Sequence, residues 1–161
     1  DNNQFTPLQL ANYIATLVNG GTHYSAHLLK SVKSYDYSEV LYEREPEVLD
    51  TIEIAPENLN AVLEGMRLVA AEGGTTYRFF KDLPVTVGTK TGSAQVSSTT
   101  ESNAVFVCFA PYEDPEIALA VVVEKGGSGM ELAAIAADVL EYYFSTGTGL
   151  EAAAKENTLL R

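Results

Sequence analysis

The spacing of apolar positions predicts two helices in the N-terminal half of the chain. The first opens with Thr6-Pro7-Leu8-Gln9, which has the residues of a capping box with proline at the first helical position, and Gly20-Gly21 ends it. The second is expected to run from Pro56 to about Glu72, where Gly73-Gly74 stops it. Each helix has one apolar stripe, so we expect each to pack through that stripe.

Residues 22–53, between these helices, have a less regular pattern. Two short runs of mixed apolar and polar residues flank Tyr35-Asp36-Tyr37 and predict a hairpin on the surface. His23 and His27 are four residues apart, a spacing that on a helix could hold a metal ion. Because they follow a glycine pair and have no third ligand nearby, we expect surface histidines and no metal site.

The C-terminal half predicts three strands and one helix. Valines and threonines alternate with small residues over Val85–Val96, while Asn103–Ala110 and Ile117–Glu124 are apolar runs joined by a proline-flanked turn. The third run is almost continuously apolar, which predicts cover on both faces. A helix is expected over Met130–Phe144. Its buried side is expected to comprise Leu132, Ile135, Ala136, Val139, Leu140 and Tyr143.

These elements predict an α+β fold in which a three-stranded antiparallel sheet has helices packed on it. A length of 161 residues suits one domain, and a composition of 46% apolar and 20% charged residues is typical of a globular chain. Residues 1–144 contain all the expected elements. Residues 145–161 are rich in small residues, and we expect them to form a disordered tail or a short helix.

Charge and cysteine content narrow the function classes. The net charge of −12 argues against nucleic acid and anionic membrane as partners, because both would repel the chain. No apolar run reaches the length of a membrane-spanning helix. The single cysteine, Cys108, excludes a disulfide within the chain and lies in an apolar run, so we expect a buried thiol.

The first predicted strand contains the residues with the clearest chemistry. Alternation along a strand places Thr91 and Ser93 on one face and Lys90 on the other, and Gly92 lets a ligand backbone approach closely. Two hydroxyls, a cation and backbone N–H groups suit an extended peptide that ends in a carboxylate. The tripeptide alone also fits an ordinary solvated strand end, but its β-rich flanks favour a binding site.

Lys90-Thr91-Gly92-Ser93-Ala94-Gln95 resembles the Lys-Thr-Gly box of the penicillin-binding proteins and serine β-lactamases. Other segments, in the same order, resemble the class B penicillin-binding protein transpeptidases more narrowly. The resemblance extends from about Asn3 to Phe144. Those further segments are Gln4–Ala11, Leu17–Thr22, Gly65-Met66 with Val69, and Phe106–Pro111.

That family uses three boxes, and this chain contains one of them. In the Ser-x-x-Lys box the lysine takes a proton from the nucleophilic serine, but no lysine here has a serine three positions before it, and no Ser-x-Asn sequence occurs. We therefore expect residues 1–144 to be the C-terminal part of a transpeptidase domain, inactive alone because the nucleophile is absent. The residues three before each lysine are His27, Lys30, Arg78, Val87, Val122 and Ala152.

For the whole enzyme, the resemblance implies cross-linking of peptidoglycan stem peptides by serine acyl transfer, a reaction that β-lactams mimic. It implies that Lys90 supplies positive potential and that the hydroxyls of Thr91 and Ser93 bind the donor carboxylate. The Ser93 N–H would form half of the oxyanion hole. Gly92 and Ala94 complete the implied substrate-binding set, and no cofactor is implied.

The resemblance also implies where the protein acts and which parts it pairs with. The parent would be membrane-anchored and act at the extracytoplasmic face of the bacterial membrane, while this part of it would be soluble. The absent N-terminal half would add strands beside Ile117–Glu124, and an uncovered apolar edge there would favour association between copies.

Two alternatives remain open. One is a non-catalytic penicillin-binding-like module that acts as a scaffold or sensor, and the other is part of a serine β-lactamase. An intact Ser-x-x-Lys box elsewhere in the polypeptide favours an enzyme over a scaffold. The rate of deacylation separates a hydrolase, which turns over penicillin, from a transpeptidase, which stays labelled.

Overall fold

The computed structural model describes residues 4–95 and 99–145 of the chain. It has the predicted α+β architecture, with antiparallel sheets and helices packed on them. In chain order the elements are α1 (Pro7–Val18), β1 (Thr22–Tyr24), β2 (Ser31–Lys33), β3 (Val40–Glu43), β4 (Val48–Thr51), α2 (Pro56–Ala70), α3 (Tyr77–Phe80), β5 (Gly88–Ala94), β6 (Asn103–Ala110), β7 (Ile117–Val123) and α4 (Ala133–Ser145).

The central sheet is the predicted three-stranded antiparallel meander, in the order β5-β6-β7. Its register is continuous from Gly88 opposite Phe109 to Ala94 opposite Asn103. Residues directly opposite each other point to the same face of an antiparallel pair. Thr91, which lies opposite Phe106, therefore shares a face with that ring.

Helices cover the central sheet on both sides. On one side, which we call the α4 face, Phe106 stacks on Phe80 of α3 with ring centroids 6.1 Å apart, and Ala133 and Leu140 of α4 join this core. On the other side, the α1 face, Phe109 packs with Ile14 of α1 and Met66 of α2. The sheet thus lies between two helical layers.

The two N-terminal helices follow their sequence signals. The predicted capping box of α1 is present, since the Gln9 N–H donates to Thr6 Oγ1 (3.2 Å) and the Thr6 N–H donates to Gln9 Oε1 (2.8 Å). Helix α2 begins at Pro56 as predicted and ends at Ala70, slightly before the expected end. The short helix α3 was not predicted, and it places Phe80 in the core.

The prediction for the last helix was wrong in part. Helix α4 begins at Ala133, not Met130, and its buried stripe is narrow because only Ala133, Ala136 and Leu140 are fully enclosed. Ile135 and Val139, which we expected to be buried, are 47% and 41% exposed. An apolar helix has more apolar residues than one contact stripe can cover, so its period alone does not select the buried ones.

Residues 22–51 form an antiparallel ribbon beside α1. The predicted surface hairpin is present as β2 paired with β3. A second pair, β1 with β4, was not predicted and holds the base of the ribbon, with Thr22 opposite Thr51. Asn12 of α1 fixes this base by donating from Nδ2 to the carbonyl of Tyr24 (3.0 Å).

The histidine spacing does not lie on a helix, because His23 is in β1 and His27 follows it in a loop. Within residues 4–95 and 99–145, no group of three or more His, Cys, Asp or Glu side chains is arranged to hold a metal ion.

Cys108 is buried as predicted, and desolvation raises the pKa of its thiol to about 12.

Strand β7 is only half-buried along most of its length, and Val123 is 40% exposed. Leu119 and Val121 pack on the α4 face and Ala118 on the α1 face, so both faces are covered as predicted. Its outer edge, however, pairs with no strand in the described part of the chain.

The tail was expected over residues 145–161, but Ser145 is the last residue of α4. The rest of the expected tail, residues 146–161, lies outside the described residues. Among the helices that are described, none has the length and apolar character needed to cross a membrane.

Candidate active-site strand

Strand β5 is the opposite edge of the central sheet from β7. It pairs with β6 on one side, and no described strand covers its other side. The strand begins at Gly88 and not at Val85 as predicted. Before it, the carbonyl of Thr86 accepts a hydrogen bond from the Tyr112 N–H (2.8 Å), which ties the entrance of β5 to the β6–β7 turn.

A buried pair of hydroxyls anchors β5 directly before Lys90. Thr76 and Thr89 are both fully buried, with their Oγ1 atoms 3.2 Å apart. Thr76 donates from Oγ1 to the carbonyl of Val69 (2.9 Å), so its own proton is used and Thr89 donates to it. This chain of hydrogen bonds joins the end of α2 to the strand.

Gly88 anchors the strand on the other face. A Cβ placed on Gly88 would lie closer than 3.0 Å to two ring carbons of Phe109. The ring therefore lies close over the backbone at this point, and it stacks on Tyr112 with centroids 6.1 Å apart. Sequence reasoning missed Thr76, Thr89 and Gly88 as supports, because each acts through a partner distant in the chain.

The five predicted site residues lie together past these anchors. Thr91 and Gly92 are half-buried, while Lys90, Ser93 and Ala94 are exposed. As alternation predicts, Thr91 and Ser93 point to the α4 face and Lys90 to the α1 face. The Lys90 ammonium donates to the carbonyl of Thr91. The strand thus passes from a buried anchor to an accessible polar end.

A glycine-rich segment, residues 126–129, follows β7 and lies against this polar end. The Gly127 N–H donates to the carbonyl of Ser102 (2.9 Å), and Gly129 is buried against the backbone of Gly92. The segment directly precedes the helix that the sequence predicts from Met130. The contact of these glycines with β5 was not predicted.

A bidentate ion pair lies on α2. Arg67 donates from Nε and Nη2 to the two carboxylate oxygens of Glu64 (2.8 and 2.7 Å). These hydrogen bonds lower the pKa of Glu64, and Tyr112 also approaches this carboxylate (3.5 Å). The group lies at the surface, and it connects α2 to the β6–β7 turn.

Residues 3–141 match the sequence pattern of the family described as "Penicillin binding protein transpeptidase domain". The chain belongs to this family. The resemblance carried by the Lys-Thr-Gly box and its flanking segments is thereby confirmed.

Two transpeptidase-family relatives show how much of a whole protein the chain represents. It is 32% identical over 132 residues to penicillin-binding protein 2A of Bacillus subtilis, covering 74% of the chain and 18% of the relative. It is 32% identical over 160 residues to the peptidoglycan D,D-transpeptidase MrdA of Haemophilus influenzae, covering 87% of the chain and 24% of the relative. The chain therefore spans a quarter or less of these relatives.

A solved structure of the family has the same fold. Penicillin-binding protein A from M. tuberculosis, in its imipenem acyl-enzyme complex, superposes with a TM-score of 0.68 at 28% identity. The match covers 86% of this chain and 32% of that one. That protein forms an acyl-enzyme with a β-lactam. The expected penicillin-binding-protein-like transpeptidase fold is confirmed.

Proposed function

We propose that this chain is the C-terminal part of the transpeptidase domain of a peptidoglycan D,D-transpeptidase. Its edge strand β5 binds the carboxylate end of the donor stem peptide, and of β-lactams in its place. The observation that supports this most is the change along β5 from the enclosed Gly88 and Thr89 to the accessible Lys90 and Ser93. A strand built only for packing has no need of an accessible row of hydroxyls and a cation.

The proposed chemistry is acyl transfer. A serine Oγ supplied by another part of the polypeptide attacks the D-Ala–D-Ala carbonyl carbon, forming an ester and releasing the terminal D-Ala. An amine of a second stem then attacks the ester, forms the cross-link and releases the serine. The Thr91 and Ser93 hydroxyls bind the carboxylate, and the Ser93 N–H stabilises the oxyanion. Lys90 adds positive potential beside them.

The proposal includes the partners and the place of action. The chain contains no Ser-x-x-Lys sequence, so it is expected to be inert towards penicillin when isolated. The remainder of the transpeptidase domain is proposed to supply the nucleophile and to pair with the open edge of β7. Because peptidoglycan is the substrate, the enzyme acts at the extracytoplasmic face of the membrane.

The test is covalent labelling of the full-length protein by fluorescent penicillin. Thr91→Val and Ser93→Ala each remove one hydrogen bond to a charged group, which is worth about 1.5–3 kcal/mol, so each should slow acylation about 10- to 100-fold. Thr51→Val on the ribbon removes a hydroxyl far from β5 and should label like the wild type. Unchanged labelling of both β5 variants would refute the proposed binding role.

Two further measurements separate the alternatives. The isolated 161-residue chain should take up no covalent label, and labelling of it would contradict an external nucleophile. In the full-length protein the acyl-enzyme should persist. Rapid turnover of penicillin would instead identify part of a serine β-lactamase, and a full-length protein that never labels would identify a non-catalytic scaffold.

A further inference from the structure

The segment of residues 126–129, here called the glycine segment, crosses the α4 face of the central sheet. Near its start, a Cβ placed on Gly126 would lie 2.9 Å from the Cβ of Ala104 and 3.0 Å from that of Val123, over the β6–β7 pair. At its end, Gly129 lies over the β5–β6 pair and is buried. The segment thus reaches across the sheet to the candidate active-site strand.

Gly129 occupies a gap that the sheet itself creates. Gly92 and Val105 are register partners, and a Cβ on Gly92 would point to the α1 face, 3.5 Å from the Cβ of Val105. The α4 face is therefore open above this pair. By alternation, the strand residues that point to the α4 face on either side of Gly92 are Thr91 and Ser93.

The contact is so close that only glycine fits. A Cβ on Gly129 would lie closer than 3.0 Å to Gly92 O, Val105 O and Gly92 N, all of them backbone atoms that cannot rotate away. Gly129 is not among the glycines with positive φ, whereas its neighbour Gly127 has φ 72°. Its backbone conformation is therefore open to alanine, and the contact alone requires glycine.

We infer that Gly129 is a positioning residue for the carboxylate-binding groups of β5, an inference that rests on the proposed function. By packing on Gly92, it fixes the strand at the residue between the two proposed binding hydroxyls. It therefore fixes the positions of the Thr91 and Ser93 hydroxyls and of the Ser93 N–H at this edge of the sheet.

The two strands beneath Gly129 differ in how firmly the sheet holds them, and this difference supports the proposed role. Strand β6 is held between two neighbouring strands, whereas β5 has one described neighbour. A methyl group added at Gly129 would therefore displace the glycine segment and β5 more readily than β6. A displacement of about 1 Å in groups that position a substrate can cost about 100-fold in rate.

The experiment compares three glycine-to-alanine variants in the full-length protein. Gly129→Ala is the test variant. Gly126→Ala alters the same segment, but the three atoms nearest to its new methyl group are side-chain carbons of Ala104 and Val123, over β6 and β7. Gly65→Ala on α2 meets no atom within 4 Å. Fluorescent penicillin acylation would be separated into its binding constant and its acylation rate, and the thermal midpoint recorded for each variant.

Gly129→Ala should lower the second-order acylation rate about 10- to 100-fold, while Gly126→Ala changes it less than about threefold at a similar loss of thermal midpoint. A normal rate in Gly129→Ala, or an equal loss in Gly126→Ala, would overturn the inference. If Thr91→Val slows acylation and Gly129→Ala does not, the inference fails and the proposed function stands. If Thr91→Val and Ser93→Ala have no effect, the proposed function itself fails.

A second variant tests the inference even if Gly129→Ala does not fold. Inserting two glycines between Gly126 and Gly127 lengthens the segment and releases it from Gly92 without adding an atom at the contact. The folded insertion variant should lose acylation rate in the same direction as Gly129→Ala. A folded insertion variant that acylates at the wild-type rate would overturn the inference.

Discussion

At the scale of single residues, the buried Thr76–Thr89 pair is a support of β5 that can be tested without touching the candidate site. Thr76→Val leaves the Val69 carbonyl its hydrogen bond from the Thr76 N–H but removes the one from the Thr76 hydroxyl. It also leaves the Thr89 hydroxyl without its partner. Leaving a buried polar group unsatisfied costs about 1–3 kcal/mol, so the free energy of unfolding should fall by that amount.

Thr89→Val is the matched control for this pair, because Thr76 then keeps its bond to Val69. It should cost only about 1 kcal/mol. Urea unfolding of both variants measures the difference. If Thr89→Val proved the more damaging of the two, the assigned direction of the hydrogen bonds would be wrong.

Replacing glycine by alanine should lower the free energy of unfolding at Gly88 and raise it at Gly65. In Gly88→Ala the new methyl group meets the Phe109 ring, and overpacking of this kind destabilises by about 1–3 kcal/mol. In Gly65→Ala the methyl group meets nothing, and replacing glycine within a helix stabilises by about 0.5–1 kcal/mol. Thermal unfolding of the pair checks both. An unchanged midpoint in Gly88→Ala would show that the ring does not lie where described.

At the scale of elements, short sequence motifs predicted the helices and strands whose stabilising interactions are local. The capping box of α1 is complete within Thr6–Gln9, so the sequence alone was enough to place its start. The β1–β4 pair was missed because each strand is very short and their pairing depends on contacts made at the base of the ribbon. There the Ile52 N–H donates to the carbonyl of Gly21 (2.8 Å).

The candidate site divides in the same way. Lys90, Thr91 and Ser93 could be proposed from the sequence because a short consecutive motif specifies them. The contact of Gly129 with Gly92 could not be predicted, because it forms only when the glycine segment folds back over β5. A motif identifies the groups that meet a ligand, whereas the contacts that hold them in place are non-local.

The tip of the ribbon should show a distinct response to acid. The hydroxyls of Ser34 and Ser38 donate to Asp36, and these bonds lower the pKa of its carboxyl from 3.8 to about 2. A depressed pKa means that this stabilisation is present above pH 3.8 and is lost as the pH falls through about 2.

An NMR titration of the Ser38 amide, which donates to Asp36 (3.2 Å), measures this carboxyl directly. Its midpoint should lie near pH 2, and Asp36→Asn should abolish the transition. A midpoint at the ordinary value of 3.8 would mean that the hydroxyls do not hold the carboxylate in solution.

At the scale of the whole molecule, the central sheet has two outer edges with different proposed roles. The β5 edge presents polar groups for an extended peptide, while the β7 edge is a run of apolar residues with unpaired backbone on its outer side within residues 4–95 and 99–145. Open apolar edges favour pairing with another strand. In the isolated chain, a second copy can supply such a strand.

We therefore expect the isolated chain to associate with rising concentration in sedimentation experiments. Val123→Lys places a charge at the exposed end of β7 and should weaken the association. Val62→Lys makes the same substitution at a 50% exposed position on α2, so it controls for the change in net charge. A wild-type chain that stays monomeric at every concentration would contradict association through this edge.

The proposed binding of a carboxylate at the polar end of β5 can be tested by a crystal structure of the full-length protein acylated by penicillin. We expect the carboxylate oxygens of the drug to lie about 2.5–3.0 Å from Thr91 Oγ1 and Ser93 Oγ. The carbonyl oxygen of the new ester should accept a hydrogen bond from the Ser93 N–H. A drug carboxylate bound away from β5, with both hydroxyls facing solvent, would contradict it.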